Sequence, residues 1–356
     1  MDVSVNKSRK IRSAIIGCGV IAPSHADGYA KADEVEITWA CDIVKEKAEK
    51  LAGKFKIPKV STDFREVLAD PELNCISICT DHASHSMIAV EAFKRGKHVI
   101  CEKALSSTHQ GLENMMDAHR KHKDLVFSGI FQNRYNKVYQ LARKLISENT
   151  LGTLLKADLH VHCIRTDAYY EADEWRGTWA KEGGSLMINQ AIHFVDILGW
   201  ITGGVKYVSG TYANLTHQNS IETEDTAVAF LRFSNGALGT ISATSSSLLN
   251  WDQSIYLNGT KGSLELRDGK ILRIELEKKE LADAISSDIQ KINDEAKVAG
   301  PGKTYYGPSH SCQIADFIDS IRSGKEPFIT GESARHAVDI VLGIYESHRD
   351  KKWVKI

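Results

Sequence analysis

Short apolar runs alternate with amphipathic segments through the first 130 residues of the chain. The runs predict buried strands at residues 11–16, 35–42, near 60, 75–79, 98–101 and 125–129. The segments between them predict helices at residues 24–30, 45–55, from 63 onward, 84–95 and 107–121. Continuous apolar strands separated by amphipathic helices are typical of a parallel sheet covered on both faces. Residues 1–130 are therefore predicted to form a doubly wound α/β domain.

The pattern changes after about residue 130, where longer and partly alternating strands follow one another. These strands are predicted at residues 154–164, 205–214, 226–233, 237–246, 253–257 and 263–267. Asn235-Gly236 and Asp268-Gly269 are signals for two-residue hairpins. Helices are predicted at residues 184–201, 311–322 and 332–347, and an exposed helical excursion at 275–297. Residues 131–356 thus predict an α+β domain with a mainly antiparallel sheet, whose C-terminal helices alternatively pack back on the first domain.

Composition and charge narrow the class of protein. The 356 residues are 42% hydrophobic and 26% charged, which suits two globular domains. With 45 basic and 46 acidic residues the net charge is -1, so no nucleic-acid partner is expected. The chain lacks both a run of about 18 apolar residues and the apolar region of a signal peptide, so no membrane association is expected. The seven cysteines fit no zinc template, which predicts reduced thiols, no metal site and a cytoplasmic protein.

A glycine-rich turn follows the first predicted strand and opens the first helix, in the sequence Gly17-Cys18-Gly19-Val20-Ile21-Ala22. The first glycine permits a tight turn, the second lets the backbone approach a pyrophosphate, and the small Ala22 permits helix–strand packing. Backbone N–H groups at the helix start then face the phosphates. This context predicts a dinucleotide site with Gly17, Gly19, Val20 and Ile21 in contact with the cofactor.

An acidic residue, Asp42, ends the second predicted strand. Its carboxylate can accept hydrogen bonds from the ribose hydroxyls of NAD and would repel the 2′-phosphate of NADP. NAD is therefore the expected cofactor, although Lys45 and Lys47 keep NADP open, and Asp42 alternatively caps the next helix.

The end of the strand at residues 75–79 carries further candidates for the nucleotide site. Thr80, His82 and His85 follow it, at the strand edge where open α/β sheets bind ligands, and are expected to line the cofactor. His85 alternatively orients backbone at the start of its helix.

Three segments resemble the Gfo/Idh/MocA family of oxidoreductases (glucose–fructose oxidoreductase, inositol dehydrogenase, rhizopine catabolism). They are Cys101-Glu102-Lys103-Ala104, residues 175–179 (Trp-Arg-Gly-Thr-Trp) and residues 183–193 (Gly-Gly-Ser-Leu-Met-Ile-Asn-Gln-Ala-Ile-His). The resemblance implies a nicotinamide cofactor beside Glu102 and Lys103, and an N-terminal Rossmann domain. It also implies an open-faced C-terminal sheet used for oligomer contacts, hence a homodimer or homotetramer.

The resemblance further implies that Lys103 and His193 are catalytic. Ala104 replaces the proline of the family motif, and Asn189 stands where inositol-dehydrogenase-like members have aspartate. Asn189, His193 and Asp196 are spaced i, i+4, i+7 and so share one helical stripe, which is either a core network or a site. In alcohol oxidation His193 would take the hydroxyl proton while Lys103 stabilises the alkoxide, or Lys103 would itself accept the proton.

Aromatic and basic residues cluster after the first long strand of the second domain. Tyr169, Trp175 and Arg176 suit a sugar ring with several hydroxyls, or alternatively the tryptophan packs a loop onto the sheet. Further substrate-binding candidates lie near the domain junction or on the predicted helix: Gln132, Arg134, Arg165, Asn189 and His193. Arg165 or Arg176 would suit a phosphate or a carboxylate.

These observations predict an NAD-dependent dehydrogenase acting on a secondary alcohol of a sugar, glycoside or cyclitol. Two alternatives stay open at this point. One is an enzyme that cleaves glycosides by transient oxidation with recycled NAD, and the other is a non-enzymatic nucleotide-sensing regulator. Steady NADH production separates the first hypothesis from both.

Overall fold

A parallel six-stranded sheet organises the first part of the computed structural model, which describes residues 10–296 and 309–356. Its strands are β1 (Ile11–Ile16), β2 (Val35–Cys41), β3 (Lys59–Ser61), β4 (Cys75–Ile78), β5 (His98–Cys101) and β6 (Phe127–Gly129). The strand order is β3-β2-β1-β4-β5-β6, so the direction of winding reverses between β1 and β4. Ligands of doubly wound sheets bind at such a reversal, beyond the carboxyl ends of the strands. The predicted Rossmann fold is thus confirmed.

Five helices connect these strands: α1 (Ala22–Lys31), α2 (Lys45–Phe55), α3 (Phe64–Ala69), α4 (His82–Lys94) and α5 (His109–Arg120). Side-chain oxygens fix several of their starts. Asp63 accepts a hydrogen bond from the backbone N–H of Arg65, and Asp81 does the same for Ser84. The start of α3 at Phe64 was predicted from Asp63, whereas α4 begins two residues earlier than the expected Ser84.

Five buried cysteines lie in or beside the strands of this sheet: Cys18, Cys41, Cys75, Cys79 and Cys101. All seven cysteines of the chain lie within the described residues and are free, and only Cys312 is exposed. Burial raises the pKa of Cys18, Cys41 and Cys75 to about 12. At neutral pH these thiols are protonated and act as small apolar groups, as the sequence predicted.

The second sheet has eight strands in the order β13-β12-β11-β7-β10-β9-β8-β14. They are β7 (Leu154–His162), β8 (Val205–Ala213), β9 (Thr226–Phe233), β10 (Leu238–Thr244), β11 (Asp252–Gly259), β12 (Gly262–Arg267), β13 (Lys270–Leu276) and β14 (Val354–Lys355). Every pairing is antiparallel except that of β7 with β10. The mainly antiparallel sheet is therefore confirmed. One face is open, since Val228 and Phe230 on β9 are exposed while the alternating residues Ala229 and Leu231 are buried.

The helices of this part are α6 (Lys137–Ser147), α7 (Asp167–Glu171), α8 (Ile192–Thr202) and α9 (Lys279–Ala296), followed by α10 (Ser309–Ser323) and α11 (Gly331–Asp350). Sequence analysis missed α6 and α7. The strand β13 was not predicted either: residues 270–274 were left unassigned, and its last two residues were included in the helix predicted at 275–297. Residue 297 of that helix lies outside the described residues. The turn Asp268-Gly269 has positive φ at both residues and joins β12 to β13, as a two-residue hairpin requires.

The chain divides into two compact units. The first unit contains the described residues 10–132 and 309–335, and the second contains residues 133–296 and 336–356. Residues 309–335, which the sequence analysis counted with the second domain, thus belong to the first unit, where α10 packs on α1. The N-terminal lead-in, residues 1–9, lies outside the described residues. Among the described helices, none combines the length and apolarity needed to cross a membrane.

A π-helical segment, Leu186–Ala191, runs directly into α8 and replaces the first turns of the predicted helix. The buried carboxylate of Glu224 holds its start by accepting hydrogen bonds from the backbone N–H groups of Ser185 and Met187. The Tyr345 hydroxyl donates a third bond to Glu224, at 2.6 Å. Burial raises the pKa of Glu224 even though these donors oppose the shift. Turns of π-helix inside an α-helix are frequent at functional sites, and they change which side chains share a face of the helix.

Candidate active site

The glycine turn after β1 is built by backbone constraints. Gly17 has φ +90°, and a Cβ atom there would lie 2.5 Å from the carbonyl carbon and oxygen of Cys79. Its N–H donates to the Cys41 carbonyl at 2.8 Å, which ties the turn to β2. A Cβ atom at Gly19 would meet no atom within 4 Å. The turn therefore leaves open space beside Gly19, where a phosphate can approach the backbone, and the exposed Val20 and partly exposed Ile21 follow it.

Asp42 anchors this turn from the end of β2. One carboxylate oxygen accepts a hydrogen bond from the Cys18 N–H and the other from the Val44 N–H, both at 2.8 Å. The second bond supports Val44, the residue before α2, but α2 has no side-chain cap, so Asp42 does not cap this helix. Two further lone-pair positions remain on an ionised carboxylate, so these bonds are compatible with ribose binding.

His85 joins the ends of two neighbouring strands. It is fully buried, with Nδ1 at 2.8 Å from the Ala104 carbonyl and Nε2 at 3.1 Å from the Thr80 carbonyl. Burial lowers the pKa of His85, so the neutral ring donates to one of the two carbonyls. This placement favours the interpretation that His85 orients backbone. His82 is also buried, whereas Thr80 is partly exposed.

A buried hydrogen-bond network surrounds Glu102, the residue before Lys103. One carboxylate oxygen accepts from His25 Nε2 at 3.0 Å and lies 3.4 Å from His310 Nε2, while the other accepts from the Lys103 N–H at 3.2 Å. Burial disfavours the charge of Glu102, but the two imidazoles outweigh it and hold the pKa of Glu102 well below its ordinary value. Sequence analysis missed His25 and His310. The sequence contained one indication that His25 is buried, because it lies on the same face of α1 as Ala22, Ala26 and Tyr29.

The network continues from His25 to Ser77, whose Oγ lies 2.9 Å from His25 Nδ1 and 2.8 Å from the Tyr29 hydroxyl. Within the described residues, His25, Glu102 and His310 are also the one group whose ligand atoms are close enough to share a metal ion. Hydrogen bonds within the protein already engage these atoms. The network therefore has a structural role, because it fixes the backbone that presents the partly exposed Lys103. The Lys103–Ala104 peptide bond is cis.

In the second unit, Asn189 and His193 are the accessible residues of a buried helical segment. From residue 182 to residue 199 every residue is buried except these two, which are partly exposed. Asp196, the third member of the predicted stripe, is buried and forms a bidentate ion pair with Arg134. The Nε of Arg134 donates one of the two hydrogen bonds, at 2.8 Å. The stripe is thus divided between a core network at Asp196 and an accessible pair. Arg134, a predicted substrate contact, is held in that core pair.

Tyr169 is the centre of the predicted aromatic and basic cluster. The guanidinium of Arg176 lies 4.3 Å from the ring centroid and that of Arg165 lies 4.8 Å from it. Arg176 also lies over Trp175 and pairs with Asp173 at 2.9 Å, so four predicted substrate residues come together here. Gln190 donates to the Tyr169 hydroxyl at 3.0 Å.

Two residues of this cluster were not predicted. Trp251 lies 4.5 Å from the Arg165 guanidinium, and Gln190 follows Asn189 in the π-helical segment. Among the described residues, buried Arg165 Nε and Gln190 Oε1 have no hydrogen-bond partner. Gln132, the remaining candidate, is buried at the end of the first unit, and its Oε1 likewise has no partner there. Trp179 contacts Tyr212 and Tyr345 and so packs a loop, as the alternative for the tryptophans supposed.

Two family profiles match the chain over most of its length. Residues 11–130 match the NAD-binding Rossmann fold of an oxidoreductase family, and residues 143–356 match the C-terminal alpha/beta domain of the same family. Myo-inositol 2-dehydrogenase of Thermotoga maritima is 24% identical, over 97% of this chain and 98% of that protein. The scyllo-inositol 2-dehydrogenase (NAD(+)) of Bacillus subtilis is 24% identical, over 96% and 95%.

A solved structure shares its fold with nearly the whole chain. The WlbA dehydrogenase of Bordetella pertussis, in complex with NADH and UDP-GlcNAcA, superposes with a TM-score of 0.89 at 28% identity, over 98% of both chains. With both family profiles matched and the glycine turn, Asp42 and Lys103 at one edge of a parallel sheet, this chain belongs to the Gfo/Idh/MocA oxidoreductase family and is an NAD-dependent oxidoreductase.

Proposed function

We propose that this enzyme oxidises a secondary hydroxyl of a sugar or cyclitol, or reduces the corresponding ketone. The observation that carries the proposal is the accessible Asn189–His193 pair on an otherwise buried helical segment, in the same unit as the Tyr169 cluster. Its relatives are named for dehydrogenation of inositols, and the Bordetella enzyme was captured with a nucleotide sugar. Dehydrogenation is therefore favoured over glycoside cleavage or nucleotide sensing.

The residues of the first unit fit the cofactor. The open space beside Gly19 admits the pyrophosphate, and the Asp42 carboxylate can accept hydrogen bonds from the ribose hydroxyls. Val20, Ile21, Thr80 and His82 are further proposed contacts along the same strand edge. Bound NAD supplies the hydride acceptor of the reaction.

Two side chains are proposed to handle the substrate oxygen. His193 takes the hydroxyl proton, because an imidazole titrates near neutral pH and this one is partly exposed. Lys103 donates a hydrogen bond to the same oxygen and stabilises the negative charge that develops on it. Glu102 supports this role by accepting a hydrogen bond from the Lys103 backbone.

The substrate is proposed to carry an anionic group that binds Arg165 and Arg176. Two guanidinium groups around one aromatic ring are well suited to a carboxylate or phosphate beside a sugar ring, and Arg165 Nε has no partner among the described residues. UDP-GlcNAcA, bound to the Bordetella relative, has both kinds of anionic group. Replacing Arg165 with Gln should raise KM for anionic sugars roughly tenfold or more and leave KM for neutral sugars unchanged.

The enzyme is also proposed to form a homodimer or homotetramer through the open face of its second sheet. Val228, Phe230 and Leu238 place exposed apolar side chains on neighbouring strands there. Light scattering should give more than one subunit for the native chain and a single subunit for Phe230→Glu.

A screen for NADH formation tests the proposed function. The purified enzyme is incubated with NAD and with inositols, neutral sugars, uronic acids, sugar phosphates or UDP-linked sugars. Steady NADH production with one class is expected, and Lys103→Met should abolish it while NAD still binds. Product formation without net NADH would instead support glycoside cleavage, and no turnover of any class would count against the proposal.

A further inference from the structure

Glu182 is a buried carboxylate that directly contacts Asn189. It is 1% exposed and lies seven residues before Asn189, outside the helical segment. One of its oxygens accepts a hydrogen bond from the Asn189 side-chain amide, and the other accepts from the Gly177 N–H. Glu182 thus links the loop that carries Trp175 and Arg176 to one of the two accessible residues of the helix.

The polarity of these bonds fixes the orientation of the Asn189 amide. Both of these neighbours of Glu182 are N–H donors, so its two oxygens must both act as acceptors, as in an ionised carboxylate. The NH2 group of Asn189 therefore faces Glu182, and Oδ1 lies on the other side of the amide. Without a neighbour of fixed polarity, an asparagine amide can turn over and exchange its donor and acceptor at little cost.

We propose that Glu182 is a positioning residue that makes Asn189 present an acceptor oxygen to a substrate hydroxyl. This inference rests on the proposed function, since it supposes a polyhydroxylated substrate beside His193. Asn189 Oδ1 then accepts from one hydroxyl while His193, one turn further along, takes the proton of another. An acceptor at this position selects substrates with a hydroxyl, and discriminates against those with a carbonyl or ether oxygen there.

A swap of donor and acceptor tests the proposal. In Glu182→Gln, the new amide can accept from Gly177 only by turning its NH2 toward Asn189. Either a hydrogen bond is lost or Asn189 flips and presents a donor. In Asn189→Asp, two carboxylates face each other. In the double variant Glu182→Gln/Asn189→Asp, the introduced glutamine accepts from Gly177 and donates to the introduced aspartate, whose second oxygen is again an acceptor for the substrate.

We expect each single variant to lower kcat/KM roughly 10- to 100-fold, the range for one lost hydrogen bond to a charged group. The double variant should recover to within about threefold of the native enzyme. Independent losses would instead multiply, and a double variant at or below the product of the two single losses would overturn the proposal. Glu174 is an exposed carboxylate of the same loop. Glu174→Gln is therefore the matched control and should leave kcat/KM unchanged.

The pH profile of Asn189→Asp gives a second test that does not require Glu182→Gln to fold. Two facing carboxylates can share one proton at low pH but repel each other when both are ionised. The variant should therefore lose activity with rising pH over a range where the native enzyme does not. Parallel profiles for the two proteins would contradict the proposal.

A measurement without substrate separates this inference from the proposed function. The side-chain 15N–1H signals of Asn189, assigned by their loss in Asn189→Asp, should show slow hydrogen exchange in the native enzyme and fast exchange in Glu182→Gln. Equal exchange in the two proteins would exclude the hydrogen bond. If the amide is protected but no sugar is oxidised, the positioning contact stands and the proposed function fails.

Discussion

The nucleotide region and the substrate region of this enzyme are constructed by different means. The nucleotide region depends on backbone geometry at the end of β1, where Gly17 has no room for a Cβ atom and Gly19 leaves open space. The proposed substrate region depends on the buried carboxylates Glu182 and Glu224, and the core of the same unit depends on the buried Arg134–Asp196 pair. A backbone-built site is specified by a few neighbouring residues. A site built from side chains requires partners from distant parts of the chain.

That difference determines what a substitution does in each region. Removing one partner of a buried charged network leaves the other without its counter-charge, which costs more than a lost contact at the surface. Adding a single atom to a tight turn displaces backbone, but the loss stays local. The two kinds of site can therefore be separated by stability and binding measurements on matched variants.

The largest effect is expected from Asp196→Ala in the core of the second unit. The Arg134 guanidinium would remain buried without its carboxylate partner, which costs about 3–5 kcal/mol of unfolding free energy. Urea unfolding followed by circular dichroism measures this loss. The double variant Arg134→Met/Asp196→Leu removes both charges and should recover most of it. An equal loss in both variants would show that packing, not charge, explains the effect.

A smaller loss is expected from Gly17→Ala in the nucleotide region. The added methyl group would clash with the Cys79 carbonyl at a residue with positive φ, which costs about 2–3 kcal/mol and displaces the turn. Gly19→Ala is the matched control, because its methyl group meets no protein atom within 4 Å. Gly19→Ala should unfold like the native enzyme but bind NAD more weakly. Equal unfolding midpoints for the two variants would refute the backbone explanation.

The same difference explains which features could be predicted from sequence. The glycine turn follows a short apolar strand and precedes a helix, so the consecutive residues 17–22 indicate its conformation. The parallel character of the first sheet follows from the alternation of strands and helices. By contrast, the Glu102 network requires His310, which is 208 residues away in sequence. The pattern around His310 gives no indication of its partner.

The helix of residues 184–201 shows the limit of periodicity. The spacing i, i+4, i+7 placed Asn189, His193 and Asp196 on one stripe, but a π-helical segment precedes α8 and Asp196 turns into the core. Asp196 is buried because it pairs with Arg134, and the π-helical segment depends on Glu224, which lies 37 residues after Met187. The strand β13 was missed for a different reason: only its last two residues fell in the charged stretch assigned to a helix, and its first five were left unassigned.

Binding of NAD is expected to weaken in Asp42→Ala. Loss of hydrogen bonds from the ribose hydroxyls to a charged group should raise the dissociation constant of NAD roughly 10- to 100-fold. NADP should lose much less, because the same change removes the repulsion of its 2′-phosphate. Fluorescence titration of both nucleotides measures the ratio. Asp42 also holds the Cys18 N–H, so a purely structural loss would affect both nucleotides equally and would exclude the ribose role.

The smallest expected effect is a difference between the two units in the stability that each loses on acidification. In the first unit, burial lowers the pKa of His25 and His85, and that of His98 to about 4. An imidazole with a lowered pKa in the folded state is protonated first in the unfolded chain. Its contribution to stability is therefore present above its ordinary pKa of about 6.5 and is lost as pH falls toward the folded-state value.

The second unit contains groups with shifts of both signs. Burial lowers the pKa of His336 and of His348, and both act in the same direction as the histidines of the first unit. It raises the pKa of Asp196 and Glu224, so protonation at low pH favours the folded state of this unit. Between about pH 7 and pH 5 the first unit should thus lose more stability, with a slope of up to about 1.4 kcal/mol per pH unit for each imidazole.

Amide hydrogen exchange, analysed separately for each unit at about pH 7 and pH 5, measures this difference after correction for the intrinsic exchange rate. His98→Asn is the control for the first unit. The Val126 N–H donates to His98 Nδ1 at 2.8 Å, and an asparagine oxygen can accept that bond without titrating. In this variant the stability of the first unit should depend less on pH, and that of the second unit should be unchanged. Equal acid sensitivity of the two units in the native enzyme would mean that the buried carboxylic acids of the second unit do not offset its two histidines.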